Sequence, residues 1–177
     1  PSFGPLDARL LIVGLAPGMK GANRTGRPFT GDYAGDLLYA TLAANGFAHG
    51  VYDRRPDDGL ELRDCRIANA VRCLPPQNKP TPAEARACGA FLTAEIQAMP
   101  KLEMVLALGR ISHDAVLRAL GARPVDARFA HGAVHAIGAL NMADSYHCSR
   151  YNTNTGRLTT EMFDTVIADL RRRLDAI

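Results

Sequence analysis

The chain has 177 residues, 47% of them hydrophobic and 22% charged, with a formal net charge of +3. These figures suit one globular domain over residues 1–177 and exclude a disordered chain. No apolar run approaches the roughly 20 residues needed to cross a bilayer, and four cysteines at this length do not suggest a secreted disulfide scaffold. A reducing cytoplasm is the expected setting, and the small positive charge permits an anionic partner without demanding one.

In chain order, the first element is the apolar run "RLLIVGLA" from Arg9 to Ala16, short enough and apolar enough for a buried strand. A helix is expected after Asp32, with Leu37, Leu38 and Leu42 on one face. The polar stretch "AHGVYDRRPDDGLELRD" reads as a surface loop, and "RIANAVR" (Arg66 to Arg72) as the second strand. A helix opens at "TPAE": Thr81 can cap it, Pro82 suits the first helical position, and Glu84 completes a capping box. Ala85, Cys88, Leu92, Ile96 and Met99 continue it at helical spacing. The strand "EMVLALG" (Glu103 to Gly109) follows, then a helix after Ser112, a strand "ALNMADSYH" (Ala139 to His147) and a helix after Thr159 carrying Phe163, Val166, Ile167, Leu170 and Leu174. Strands alternating with helices predict an α/β fold, a mostly parallel central sheet with helices on both faces.

In such sheets the ligand crevice lies beyond the carboxyl ends of the strands. Three loops therefore become candidates: Pro17 to Gly31, "CLPPQNKP" (Cys73 to Pro80) and "HCSRYNTNTGR" (His147 to Arg157). The first is glycine-rich, yet "GLAPGMK" does not fit GxxxxGK[ST] and contains no GxGxxG, so a nucleotide cradle is not supported. A plain strand-to-helix turn is one reading. The other rests on Lys20, Arg24, Arg27 and Asp32 around a single aromatic, Phe29, because a ring with basic neighbours suits stacking on a base beside phosphates.

The motifs "GLAPG", "GANRTGRPFTGDYAGDLL", "NAVRCLPPQNKPTPAE" and "SYHCSRYNTNTGRLT", in that order on strand ends, resemble those of the uracil-DNA glycosylase superfamily, closest to its family 5, the type B enzymes. The resemblance runs from Phe3 to Thr160. It implies a monofunctional hydrolase that flips uracil, or another deaminated base, out of DNA and cuts its N-glycosidic bond in base excision repair. It places Gly14, Leu15, Ala16, Phe29, Asn69 and Asn78 around the base, with Phe29 stacking on it and the Asn69 amide reading its edge by donating and accepting at once. Family 5 usually carries alanine at the Asn69 position. His147 matches the histidine that bonds a uracil oxygen in the transition state, although Cys148 stands where the motif has proline. "GLAPG" offers no acidic or amide side chain for positioning water, and the resemblance carries that role to Asp32. Asp32 can equally be a simple helix cap, Asn78 a turn asparagine, and Asn69 a strand-end residue satisfying backbone. Arg24, Arg150, Tyr151 and Asn152 fall at DNA-contacting positions, with Arg150 and Tyr151 on the wedge that fills the space of the flipped nucleotide.

Families 4 and 5 carry a [4Fe-4S] cluster on two upstream and two downstream cysteines. Cys73 and Cys88, fifteen positions apart, match the downstream pair, and the chain opens where the upstream pair would already have passed, so a partial ligand set is expected. Cys88 also fits a plain core position on its helix, and Cys65 has no assigned role. The expected partner is DNA bearing uracil or another deaminated base, met by a monomer in the nucleoid-bearing cytoplasm, with no membrane. Two rivals remain open on the residues alone: a non-catalytic nucleic-acid-binding relative, and an unrelated phosphate-binding α/β enzyme.

Overall fold

The structure is a computed structural model that describes residues 2–78 and 80–176, the side chain of Asn78 excepted. Its centre is a five-stranded sheet of β1 (Leu10–Gly14), β4 (Cys65–Asn69), β5 (Met104–Leu108), β6 (Val134–Ile137) and β7 (Leu140–Ser145), in the order β4-β1-β5-β7-β6. Every pairing among β4, β1, β5 and β7 is parallel; β6 is the antiparallel edge. The mostly parallel sheet is therefore as expected, while β6 is an addition. It enters through a hairpin that turns at Gly138 with φ +60, a conformation glycine adopts without the Cβ penalty.

The period of two along each strand divides the core. Leu10, Ile12, Met104, Leu106 and Leu108 face one side, where α2 (Tyr33–Ala44) and α7 (Thr160–Asp175) bring Leu38, Leu42, Phe163, Ile167 and Leu170. Leu11, Val13, Val105 and Ala107 face the other, against Leu92 of α4 (Gly89–Gln97) and Val116 and Leu117 of α5 (Arg110–Ala119). Each such side chain removed from water contributes about 1.5–3 kcal/mol. Two-sided burial explains why the strands read as continuous apolar runs rather than as alternating ones.

The helix starts follow their caps. Asp32 Oδ1 accepts from Gly35 N–H, Thr159 from Met162 N–H, and Thr81 and Glu84 form the reciprocal box at α3 (Pro82–Ala87). The single helix expected after Thr81 is instead two. It breaks at Cys88, where Phe91 N–H reaches back only three residues to the Cys88 carbonyl at 3.0 Å. The break lets Ala85 and Cys88 pack on Val71 while Leu92 turns to the sheet core. The helix expected after Ser112 begins earlier, at Arg110, and buries Ser112. Short helices α1 (Ala22–Thr25) and α6 (Arg150–Asn154) lie inside the first and last candidate loops.

The polar stretch 48–64 is more than a surface loop. Its ends pair as β2 (Ala48–His49) and β3 (Glu61–Leu62), and its middle delivers Asp58 to Arg27. The two guanidinium nitrogens meet the two carboxylate oxygens at 2.9 and 2.8 Å, with side-chain exposures of 6% and 0%. Arg27 also donates to Thr30 Oγ1 and lies 5.0 Å from the Phe3 ring centre and 5.7 Å from that of Tyr39. It is thus wholly engaged inside the protein and is not a surface cation for phosphate.

Burial alone would raise the Asp58 carboxyl, but bonds from Arg27 and from the N–H groups of Asp53 and Leu60 hold it well below the ordinary carboxylate range. Its folded pKa is depressed, so its stabilisation is complete above the ordinary value of 3.8 and is lost as pH falls below it. Asp58→Ala should cost about 3–5 kcal/mol in urea unfolding at neutral pH by leaving a buried cation unpaired. A midpoint within error of the parent would show that the pair does not hold this region.

Candidate active site

The carboxyl ends of β1, β4, β5 and β7 open into a cleft of about 830 Å³. Leu15, Ala16, Phe29, Asp32, Asn69, His147, Arg150 and Asn152 all line it, drawn from three separate stretches of sequence. Arg24 and Tyr151 do not line it; both are exposed, Tyr151 at 73%. The Asn78 side chain lies outside the described residues.

Gly14 and Asn69 are partners in the β1–β4 register. A Cβ at Gly14 would stand 2.5 Å from Asn69 Oδ1 and 2.6 Å from Phe29 Cζ, so only glycine lets the amide and the ring meet there. Pairing continues past the strands, with Ala70 N–H on Gly14 O and Val71 N–H on Leu15 O, which fixes the backbone beneath the cleft. Phe29 is buried and holds φ +55, a left-handed conformation uncommon for a bulky residue. Tyr52 Oη donates to its carbonyl at 3.1 Å and Tyr39 Oη to that of Pro28 at 2.5 Å. Gly35 admits the Phe29 carbonyl, since a Cβ there would overlap it.

His147 follows β7 by two residues, its ring 5.9 Å from that of Phe29 and tilted 33°. Asn152 Nδ2 donates to the His147 carbonyl at 2.8 Å, which ties α6 to the site. Burial lowers the imidazole from 6.5 to about 4, so the ring is neutral at pH 7. Among the described residues, His147 Nδ1 and Asn69 Oδ1 are both buried without a hydrogen-bond partner. Two such atoms in one cleft are costly to the empty fold and suit a polar ligand that satisfies both. Asp32 performs its capping role through Oδ1, with Oδ2 against Gly21, where a Cβ would come within 2.3 Å. Burial raises its carboxyl, partly offset by the Gly35 N–H.

Lys20, Arg110, Arg150 and Arg157 also line the cleft, and among the described residues Asp32 is the one carboxylate that lines it with them. The field favours an anion. Arg110 and Arg157 escaped the sequence reading, as did Phe129 and Tyr146. An aromatic and two histidines in "RFAHGAVH" were the available signal for Phe129.

Two groups of side chains are of metal-binding type. His113, His135 and Asp144 converge, but His113 Nδ1 meets Asp144 Oδ1 at 2.7 Å and His135 Nε2 meets Oδ2 at 3.1 Å. These are direct hydrogen bonds, so protons already satisfy the cluster. Of the cysteines, Cys73 is exposed and Cys88 buried at the α3–α4 break, while Cys65 and Cys148 are inside the main core. Burial pushes the Cys148 thiol up to about 12. Two thiols are half of what a four-thiolate cluster needs, and among the described residues no third ligand gathers with them.

The family model of the uracil DNA glycosylase superfamily matches residues 1–171. The chain is 46% identical over 173 residues to a type-5 uracil-DNA glycosylase of Thermus thermophilus, covering 97% of this chain and 78% of that protein. It is 42% identical over 176 residues to one of Pyrobaculum aerophilum, covering 99% and 75%. A type-4 uracil-DNA glycosylase of Thermotoga maritima is 39% identical over 107 residues, 60% of this chain and 47% of that protein.

The cap and the charge of Asp32 can be separated. Asp32→Ala should lose about 1 kcal/mol of stability and Asp32→Asn only a few tenths (~0.3), because asparagine still caps. If the carboxylate does chemistry, both variants lose turnover of the folded protein. Near-parental turnover by Asp32→Asn, at an unchanged melting temperature, would reduce Asp32 to a cap.

Proposed function

The chain belongs to the uracil DNA glycosylase superfamily, and from that premise we propose that it is a monofunctional uracil-DNA glycosylase, a hydrolase of base excision repair. The observation that carries this reading is the pair of unpartnered atoms, Asn69 Oδ1 and His147 Nδ1, in one cleft with the Phe29 ring. Uracil alternates donors and acceptors along one edge and has a flat π face. An amide, a neutral imidazole and a phenyl ring complement it.

In the proposed reaction the flipped uracil stacks on Phe29 and is read by the Asn69 amide. The C1′–N bond breaks with its electron pair going to the base. Charge then develops on a uracil oxygen, where a hydrogen bond from neutral His147 strengthens; a donor placed this way contributes about 2.7–4 kcal/mol. Asp32 favours the cationic sugar and orients the water that adds to C1′, whose proton leaves to solvent. Lys20, Arg110, Arg150 and Arg157 hold phosphates around the cleft. Arg24 and Tyr151 act outside it, with Tyr151 as the wedge that replaces lost stacking, and Asn152 contacts DNA while supporting His147. Asn78 is a further candidate for placing water.

The protein is proposed to act as a monomer, in the cytoplasm, on uracil and other deaminated bases. Where a [4Fe-4S] cluster is present, Cys73 and Cys88 would supply two of its thiolates and its contribution would be structural.

Incubation with a duplex bearing one deoxyuridine, followed by alkali, should yield cleavage at an abasic site. His147→Ala should slow single turnover by about 10²–10³-fold, and Asn69→Ala should reduce uracil excision strongly while melting normally. Parental rates in both variants would overturn the assignment. Activity should be level through neutral pH and fall on the acid side, as Asp32 protonates above 3.8 and His147 gains charge at about 4. A profile in which Asp32→Asn keeps the parental acid limb would remove Asp32 from it.

A further inference from the structure

Helix α6, which carries Tyr151, buries none of its five residues. The apolar burial that fixes the longer helices therefore does not fix this one, and so short a helix is not stable by itself. Polar tethers set its direction instead. On the side toward the site, Asn152 Nδ2 donates to the His147 carbonyl at 2.8 Å, and the Asn152 carbonyl accepts from the N–H of buried Leu158 at 3.1 Å.

A second hold comes from Tyr33, the first residue of α2, directly after Asp32. Tyr33 lines the cleft and also meets α6 twice. Thr153 Oγ1 donates to its hydroxyl oxygen at 3.3 Å, and the Arg150 guanidinium carbon lies 5.7 Å from its ring centre, a cation–π contact. Arg150 and Thr153 are three residues apart and so share one face of α6. Asn152 and Tyr151 leave the helix from other faces, the first tied to His147 and the second exposed.

We propose that Tyr33 is a positioning residue for excision from duplex DNA: it braces α6 against α2 so that Tyr151 is already aimed when the duplex arrives. This rests on the glycosylase reading above and on Tyr151 as its wedge. A wedge replaces stacking at the moment the base leaves, and one that swings on the Asn152 tether alone must be ordered at that step. A pre-aimed one avoids that cost. A single strand needs no such filling, because no duplex has to be held open. Tyr33 is 44% exposed, so replacing it does not open the core.

The test compares single-turnover excision of deoxyuridine from a duplex and from the same strand unpaired, with melting temperature measured on each protein. Tyr33→Ala should lower the duplex-to-single-strand rate ratio about tenfold, the scale of ordering one side chain. Tyr33→Phe, which keeps the ring beside Arg150 and loses only the hydroxyl contact, should stay within about threefold of the parent. In Tyr151→Ala, where no wedge is left to aim, adding Tyr33→Ala should change the ratio by less than about twofold. Equal losses on both substrates would place Tyr33 with the chemistry at neighbouring Asp32 and overturn the brace, as would an unchanged ratio in Tyr33→Ala or a full further loss in the double variant. An unchanged ratio in Tyr151→Ala overturns the wedge, and the brace with it. For a parent that cuts only the duplex, the duplex rate alone carries the same tenfold and twofold expectations. A parent that cuts only the single strand overturns the brace, and one that cuts neither overturns the glycosylase reading as well.

Discussion

The buried pair between Arg27 and Asp58 is the contact on which the shape of the cleft depends. A desolvated guanidinium and carboxylate tolerate each other only in good geometry, and here the fork is bidentate and backed by two further N–H donors to Asp58. The pair pins residues 48–64 over the first loop, which brings Tyr52 to the Phe29 carbonyl. Phe29 is then held in a backbone conformation that its bulk disfavours, with its ring beneath the cleft. A charge interaction in one layer is thus converted into the placement of an uncharged ring in another.

The remaining site groups inherit their positions from the parallel sheet. Asn69 ends β4, Gly14 ends β1, and His147 follows β7, so three strand ends bring together residues far apart in the chain. Strand pairing fixes such positions more tightly than loops would. The same burial that shapes the cleft also sets its electrostatics, lowering the His147 pKa and raising that of Asp32. Both shifts favour the uncharged form, because a group surrounded by apolar walls loses hydration whichever sign its charge carries.

What was legible in the sequence was local. Thr81 with Glu84, and Asp32 and Thr159 before apolar periodic runs, announce helix starts because a cap needs only residues within three positions. The apolar runs of β1 and β5 announce buried strands for the same reason. The break at Cys88 was hidden, since it arises from two separate cores drawing one helix in two directions. Arg27 read as a phosphate-side neighbour of Phe29 and Asp58 as part of a surface loop, because their partnership spans 31 residues. In the site, Phe29, Asn69, Asp32 and His147 were marked by motif resemblance and sit together in the cleft. Phe129 and Arg110 had no motif, and only the packing of α5 and β7 brings them to the same opening.

The segment 127–132, which brings Phe129 to the cleft, is anchored largely through its own backbone: the Ala127 carbonyl and the N–H groups of Ala130 and Gly132. Every amino acid supplies that carbonyl, and every one but proline supplies those N–H groups. The side chains at 128, 129 and 130 can therefore drift over generations while the path of the chain persists. Shape and identity are uncoupled there, which makes this stretch a place where a lineage can vary one wall of its cleft by single substitutions without first having to reinvent the fold around it.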